Sequence, residues 1–374
     1  MKLIPVLLAV PLLTASVVSA QLMYVGTYTG GDTKGIYAYR FDSRTGKLTP
    51  LGLMAETPNP TFLALHPSGK YLYAVNEIND FEGKKAGSLS AYSVDRATGK
   101  LKLLNQVSTG GPGPCAVTVD KTGKVVFVAN YEGGSFASYP IGSDGKVGAL
   151  ASFIQDKGSS IDKARQEGPH AHSVVVSPDN KFLLGADLGL DHVLVFHIDT
   201  STGKISPNDP PFATVKAGSG PRHLVFAPDG KHVYVLSEMG EIVTTFSWDA
   251  SRGALTQIDQ ISALPADFHG KSSGAEIQID ARGRHVYSSN RGHDSISVYN
   301  VDPGTGKLSL AGTTSTEGKT PRFFCLDPSG RYLLAGNQDT NTITTFHVDP
   351  RSGKLTPTGD KYDLGKPVCF VFVK

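Results

Sequence analysis

The stretch Asp280-Ala-Arg-Gly-Arg-His-Val-Tyr-Ser-Ser-Asn-Arg-Gly-His-Asp-Ser-Ile-Ser-Val-Tyr-Asn-Val-Asp-Pro-Gly-Thr-Gly-Lys-Leu308 contains both of the turn signals that organise this chain. Its second apolar run, Ser295-Ile-Ser-Val-Tyr-Asn-Val301, alternates with period two, as half-buried β-strands do. Outside residues 1–20, no stretch of 11 residues keeps a convincing apolar period of 3.6 residues. The pattern therefore indicates strands joined by turns.

Both turn signals recur along the chain. A glycine followed by Lys or Ala and then by an aliphatic residue occurs seven times, 46 to 58 residues apart: Gly46, Gly99, Gly145, Gly203, Gly253, Gly306 and Gly353. A Gly or Asn followed by Lys or Arg precedes an apolar strand six times: Gly69, Gly123, Asn180, Gly230, Gly283 and Gly330. A period near 50 residues with four short strands in each unit is typical of a β-propeller.

The two counts differ by one because one unit is divided between the chain termini. The segment Pro367-Val-Cys-Phe-Val-Phe-Val-Lys374 matches the opening of a unit, and Met23-Tyr-Val-Gly-Thr-Tyr28 matches the strand that should follow it. Pairing of these strands would close the ring and remove open sheet edges. The sequence therefore predicts an all-β fold, a single seven-bladed β-propeller of residues 21–374 that is closed by pairing of the N- and C-terminal strands.

Residues 1–20 differ in kind from the repeat. A positive start, Met1-Lys2, precedes an apolar run from Leu3 to Leu13, and small residues follow up to Ala20. This layout predicts a secretory signal peptide and hence an exported protein, periplasmic or extracellular, with an uncleaved N-terminal anchor as the alternative. No later stretch approaches 18 apolar residues, so we expect no membrane association of the mature chain.

Composition narrows the class of protein. Hydrophobic residues make up 39% of the chain and charged residues 19%, which excludes a disordered polymer. The net charge of +2 shows no excess of positive charge of the kind that nucleic-acid-binding proteins carry. The three cysteines, Cys115, Cys325 and Cys369, lie in apolar runs, so we predict buried free thiols. The oligomeric state stays open.

Equivalent positions of the units point to a site. Seven and eight residues after the second turn signal, polar residues interrupt an apolar strand in six units: Asn76-Glu77, Asn130-Tyr131, Asp187-Leu188, Ser237-Glu238, Asn290-Arg291 and Asn337-Gln338. Eight residues before that signal, at the start of the innermost strand, stand Thr61, Cys115, His172, Arg222, Ala275 and Arg322. Because neighbouring strands of a blade are antiparallel, both sets should lie at one end of the central channel.

The ionisable members of these sets suggest a ligand, although they could also form structural ion pairs. Asparagines at strand ends often bond their own backbone, whereas charged side chains are costly to hold unpaired in a narrow channel. Three arginines and two glutamates meet at this end of the channel: Arg222, Arg291, Arg322, Glu77 and Glu238. Since Arg binds carboxylate or phosphate in a forked geometry, the excess of arginines favours a small anionic ligand.

Several motifs together resemble the lactonase family of seven-bladed propellers, which includes bacterial 6-phosphogluconolactonases and fungal carboxy-cis,cis-muconate cyclases. They are Tyr24-Val-Gly-Thr-Tyr-Thr29, Gln166-Glu-Gly-Pro-His-Ala-His-Ser173, Gly220-Pro-Arg-His223, Leu236-Ser-Glu238, Ser289-Asn-Arg-Gly-His-Asp-Ser-Ile296 and Pro321-Arg-Phe323, and they span essentially the whole mature chain. The resemblance implies four catalytic residues: His172, Arg222, Glu238 and Arg291. Around them we expect substrate contacts from Arg322, Asn290, Glu77, His170 and His223.

Three functions fit these residues. In hydrolysis of a sugar lactone, His172 or Glu238 would take a proton from water, and Arg222 or Arg291 would stabilise the oxyanion. In lactonizing cyclase chemistry, the arginines would bind substrate carboxylates instead. An exported propeller that binds a polysaccharide or protein without catalysis is the third. For an exported protein, an unphosphorylated lactone is a plausible substrate.

The sequence does not predict a metal, a cofactor or a serine nucleophile. His170 and His172 share a face of a strand, but no Cys or Asp cluster completes a ligand set. The segment Gly270-Lys-Ser-Ser-Gly274 is not the Gly-x-Ser-x-Gly elbow of serine hydrolases. His170 alternatively belongs to a loop, residues 155–168, that could fold over the site.

Overall fold

The computed structural model describes residues 20–373, which form 28 β-strands and no helix. The predicted signal peptide, residues 1–20, therefore lies outside the described residues except for Ala20. None of the described residues belongs to a helix long and apolar enough to cross a membrane.

The strands β1 to β28 have the following bounds, in chain order: Gln21–Thr27, Gly35–Phe41, Leu48–Glu56, Phe62–Leu65, Tyr71–Asn76, Ser88–Val94, Leu101–Ser108, Pro114–Val119, Val125–Asn130, Ser135–Pro140, Ser152–Gln155, Ala171–Val176, Phe182–Asp187, His192–Asp199, Lys204–Thr214, Pro221–Phe226, His232–Ser237, Ile242–Asp249, Ala254–Ser262, Ser273–Ile279, His285–Arg291, Ser295–Val301, Leu308–Ser315, Pro321–Leu326, Tyr332–Asn337, Thr342–Val348, Leu355–Asp363 and Pro367–Phe372.

Seven four-stranded antiparallel sheets form the blades of a propeller, as predicted. Six blades are continuous in sequence, and the seventh has the strand order β28-β1-β2-β3. In that blade Met23 lies opposite Phe372 and Val25 opposite Phe370. The predicted closure of the ring by the two terminal strands is therefore confirmed.

The repeated turn glycines have a packing role between blades. The hydroxyl of Tyr24 donates to the carbonyl of Gly99 at 2.9 Å, and Tyr234 reaches Gly306 in the same way at 2.9 Å. Gly46 has a φ of 75°, and a Cβ there would lie 2.4 Å from the ring of Tyr332. A glycine recurs at this turn because the backbone is left-handed there, and at Gly46 the ring of Tyr332 from the adjacent blade also leaves no room for a Cβ.

The three cysteines are free and buried, as predicted. Burial raises the pKa of the Cys115, Cys325 and Cys369 thiols above the ordinary range. Thiols whose pKa is raised by burial are poor nucleophiles.

A bulge near the start of each of several inner strands positions the candidate residues. The pairing register between the first and second strands of a blade shifts at Cys115, His172, Arg222 and Arg322. A bulged residue is left out of the ladder and its side chain is turned in a new direction. All four side chains line one small cavity in the channel.

Candidate functional site

The carboxylate of Glu238 is the centre of an ion-pair network. Its Oε2 lies 3.0 Å from Nε of Arg222 and 2.8 Å from Nη2 of Arg291, and its Oε1 lies 2.7 Å from Nη2 of Arg165. Glu238 directly follows β17, and its backbone N–H donates to the carbonyl of Gly220 at 2.7 Å. One buried carboxylate therefore holds three arginines at this end of the channel.

The network keeps all its members ionised. Burial raises the pKa of Glu238, but the charges of Arg291, Arg222 and Arg165 outweigh burial and bring this pKa below its ordinary value. Burial, with Arg291 and Arg322 nearby, lowers the pKa of Arg222 to about 10. Arg222 is therefore still a cation at neutral pH, and positive charge exceeds negative charge in the network.

Backbone oxygens of β20 fix two of the arginines. Arg222, which is 2% exposed, donates from Nη1 to the carbonyl of Ala275 at 2.6 Å. Arg291 donates from Nη2 to the carbonyl of Gly274 at 2.9 Å. Because each guanidinium binds both a carboxylate and a backbone oxygen, its orientation is set before any ligand arrives.

A second group contains Arg322. Its Nη2 donates to the hydroxyl of Tyr28 at 2.9 Å, and that hydroxyl donates to Oε1 of Glu77 at 2.8 Å. Thr61 donates to the other carboxylate oxygen at 2.6 Å. Across residues 20–373, Arg322 has no carboxylate within ion-pair distance, so its charge is only partly compensated.

His172 is a buried, uncharged imidazole between these groups. Its ring makes edge contacts with Tyr131 and His223, with centroids 5.4 and 5.2 Å apart. Burial and the charges of Arg222 and Arg322 hold its pKa well below the ordinary value. Among the described residues, Nδ1 of His172 has no hydrogen-bond partner.

His223 forms a pair with a carboxyl group from the next blade. Its Nδ1 lies 2.8 Å from Oε2 of Glu276, and both side chains are buried. Burial raises the pKa of Glu276 to about 8, with Arg222 opposing the shift. Burial and Arg222 lower the pKa of His223 well below its usual value, so both partners are largely uncharged at neutral pH.

His170 neighbours His172 through the ring of Tyr131, whereas Asn290 lies apart from this group. The His170 ring stacks on Tyr131 with centroids 4.7 Å apart, and its Nε2 lies 3.3 Å from Oε1 of Glu167. Asn290 is fully buried, and its amide donates to the carbonyl of Ala263 and to Oγ of Ser297, both at 3.0 Å. Asn290 therefore links its own blade to the segment that follows β19 and forms no hydrogen bond to the channel residues.

The sequence did not place three residues at this end of the channel, Arg165, Tyr28 and Glu276, whereas Tyr131 was aligned there but assigned no role. Arg165 lies in the segment 155–168, which the sequence suggested could fold over the site, but the segment has no counterpart in other units. Glu276 could have been found as a carboxylate that interrupts the apolar strand β20 one residue after the aligned Ala275. We call the end of the channel that carries Glu238, Arg222, Arg291, Arg322 and His172 the polar mouth.

The polar mouth contains a cavity but no evident metal site. The cavity has a volume of about 10 Å³, which is the space that one water molecule needs, and its lining includes His172, His223 and Arg322. In the described part of the chain, no three His, Cys, Asp or Glu side chains converge as metal ligands would.

Comparison with known proteins identifies the family. The family model described as lactonase, 7-bladed beta-propeller, matches residues 22–372. The chain belongs to this lactonase family.

Several similar proteins of the lactonase family are named for an enzymatic activity. The 6-phosphogluconolactonase of Bacillus subtilis is 35% identical over 309 residues, which cover 82% of this chain and 84% of the relative. The 6-phosphogluconolactonase of Formosa agariphila is 34% identical over 312 residues, 82% of this chain and 86% of the relative. The solved structure of the periplasmic gluconolactonase of Pseudomonas aeruginosa superposes with a TM-score of 0.88 at 34% identity, covering 95% of this chain and 99% of that one.

Proposed function

We propose that this protein is an exported lactonase that hydrolyses a sugar lactone at the polar mouth. The observation that carries the proposal is an uncharged His172 with a free ring nitrogen beside an excess of fixed arginines. Ester hydrolysis needs both parts, a base for water and a cation for the oxygen that becomes negative.

His172 is the better of the two predicted bases. Both carboxylate oxygens of Glu238 are bound to arginines, so neither is free to take a proton from water. His172 is neutral, and its Nδ1 is unpartnered within residues 20–373. Glu238 then acts by holding Arg222 and Arg291 in place.

The reaction proceeds by ordinary addition and elimination. Water gives a proton to Nδ1 of His172 while its oxygen bonds to the lactone carbonyl carbon, and the carbonyl electron pair moves onto oxygen. Arg322, whose charge is least compensated, stabilises this oxyanion together with Arg222. As the carbonyl re-forms, the ring C–O bond breaks and the leaving oxygen takes the proton from His172.

The substrate class and location rest on the relatives and on residues 1–20. Two similar proteins are 6-phosphogluconolactonases, and a third is a periplasmic gluconolactonase. The signal-like layout of residues 1–20 agrees with the periplasmic location of that third protein. We therefore propose an unphosphorylated gluconolactone as the first substrate to test, with its 6-phosphate as the rival.

The test is a pH-stat assay of the purified protein on δ-gluconolactone and on the 6-phosphate ester. We expect acid release above the spontaneous rate for at least one lactone, and the ratio of kcat/KM values identifies the preferred one. Absence of turnover on both would contradict the proposal. Parallel assays with carboxymuconate, followed by ultraviolet absorbance, would then separate the cyclase from a propeller that only binds.

A further inference from the structure

The pair formed by His223 and Glu276 has no role in the mechanism so far, although it borders the same cavity as the proposed base. His223 follows the bulged Arg222 on β16, and Glu276 lies on β20 of the next blade. His223 and His172 both line the cavity of about 10 Å³, with ring centroids 5.2 Å apart.

Each imidazole at this cavity has one buried nitrogen without a partner among residues 20–373. In His172 this nitrogen is Nδ1, whereas in His223 it is Nε2, because Nδ1 is bonded to Glu276. A water molecule is oriented best when one neighbour donates a hydrogen bond to it and another accepts one from it. In the proposed mechanism His172 accepts a hydrogen bond from the water. The position of the proton on the His223 ring therefore decides whether the water also receives a hydrogen bond from a donor.

The partner of His223 determines that state. A protonated carboxyl group donates to Nδ1 and leaves the imidazole proton on Nε2, whereas a carboxylate accepts a proton from Nδ1 and leaves Nε2 bare. Glu276 is 6% exposed and forms no ion pair with Lys or Arg within the described chain, in contrast to Glu238. A buried carboxyl group without a bonded cation is held in its neutral form.

We propose that Glu276 is a positioning residue whose carboxyl proton is donated to Nδ1 of His223, so that Nε2–H of His223 faces the cavity and donates to the water that His172 deprotonates. This inference rests on the proposed hydrolysis. The water then has one lone pair bound by His223 and one O–H directed at His172, which leaves its second lone pair for the lactone carbon. No proton is consumed at Glu276 during turnover.

A pair of variants of similar size tests the donor role. Glu276→Met removes the donor, and we expect kcat to fall at least about tenfold with KM changed less than about twofold, as for loss of an oriented hydrogen bond in an active site. Glu276→Gln restores a neutral donor to Nδ1, so it should recover most of the kcat that the Met variant loses. Equal losses in the two variants would overturn the proposal, because they would mean that an ionised carboxylate is required.

A spectroscopic measurement tests the tautomer without any substrate. In ¹H–¹⁵N spectra of the histidine rings at neutral pH, assigned with a His223→Gln variant, we expect the His223 proton on Nε2 in the wild type and in Glu276→Gln. A proton on Nδ1 in the wild type would overturn the proposal even if the protein is an active lactonase. If the wild type hydrolyses no lactone, the proposed function fails and the water contact fails with it, while the spectra still decide the tautomer.

Discussion

The two ends of the channel are built by the same seven inner strands but differ in chemistry. At the polar mouth, different blades supply arginine, histidine and cysteine side chains to the channel. At the opposite end, every inner strand ends in a half-buried apolar residue: Leu65, Val119, Val176, Phe226, Ile279, Leu326 and Phe372. We call this end the apolar mouth, and it opens into a cavity of about 680 Å³.

The difference lies in the backbone as well as in the side chains. In β12 the register shifts at His172, whereas Val174 to Val176 pair regularly with β13. A regular strand alternates its side chains between two faces, so each residue type is constrained by packing. A bulged residue is released from that alternation. The chemical diversity of the ring is therefore concentrated where the pairing is irregular, and the regular ends of the same strands supply stability.

The largest expected effect is the loss of activity when the proposed base at the polar mouth is replaced. His172→Asn removes the proposed base, and general-base catalysis typically contributes about 10²–10⁴-fold, so kcat should fall by that factor. The pH-stat assay on the preferred lactone measures it. The exposed His347→Asn is the control and should retain the wild-type rate. Wild-type activity in His172→Asn would remove this residue from the mechanism.

The next effect tests the ion-pair network. Glu238→Gln keeps the shape of the side chain but removes the charge that holds the arginines, so we expect kcat to fall about tenfold or more while the protein stays folded. Circular dichroism checks folding, and exposed Glu317→Gln is the matched control. A full lactonase rate in Glu238→Gln would show that the arginines do not need this carboxylate.

A substitution at the apolar mouth should lower the stability of the protein without changing its activity. Leu326→Ala removes half-buried apolar surface, and the free energy of unfolding should fall by about 1–2 kcal/mol, less than the 2–5 kcal/mol typical of fully buried sites. The value of kcat should not change. Urea unfolding measures the loss, with the exposed Leu310→Ala as the control. A reduced kcat without a loss of stability would contradict the division between the mouths.

The last expected effect is on the pH dependence of stability, at the base of the segment that carries Arg165. Asp156 and Asp187 are buried together, and burial followed by the charge of Asp187 raises the pKa of Asp156 to about 9. An unfolded Asp titrates near pH 3.9, so the folded state binds an extra proton from about pH 4 to pH 9 and its stability falls as pH rises through that range.

Asp156→Asn removes this titration, so its stability should vary less between pH 5 and pH 9 than that of the wild type. Urea unfolding at several pH values measures the slope. The exposed Asp267→Asn is the matched control and should keep the wild-type slope. An unchanged slope in Asp156→Asn would mean that another group takes up the proton.

Most of the fold could be predicted because the sequence features that determine it recur once in each blade. Turn glycines such as Gly46 and Gly306 recur once per blade, and the matching terminal segments revealed how the ring closes. The same alignment assigned Arg222, Glu238 and Arg291 to one end of the channel, and the structure joins them in one network. Residues at equivalent positions of a repeat occupy equivalent places in a ring.

The rest of the site could not be derived from periodicity. Arg165 reaches Glu238 from a segment that has no counterpart in the other blades. Asn290 was aligned correctly along its strand, but its side chain binds Ala263 and Ser297, whereas the neighbouring Arg291 reaches Glu238. Glu276 lies one residue beyond the aligned Ala275, so it is not among the equivalent positions of the units.

The sequence by itself determined the all-β architecture, the seven blades, their closure and the end of the channel at which charged residues gather, because each of these depends on a repeated pattern. Only the tertiary structure decided which oxygen each arginine binds, that three arginines surround the carboxylate of Glu238 and that Glu276 lies against His223. Those properties depend on distances between side chains of different blades and on their burial, and both are set only when the ring closes.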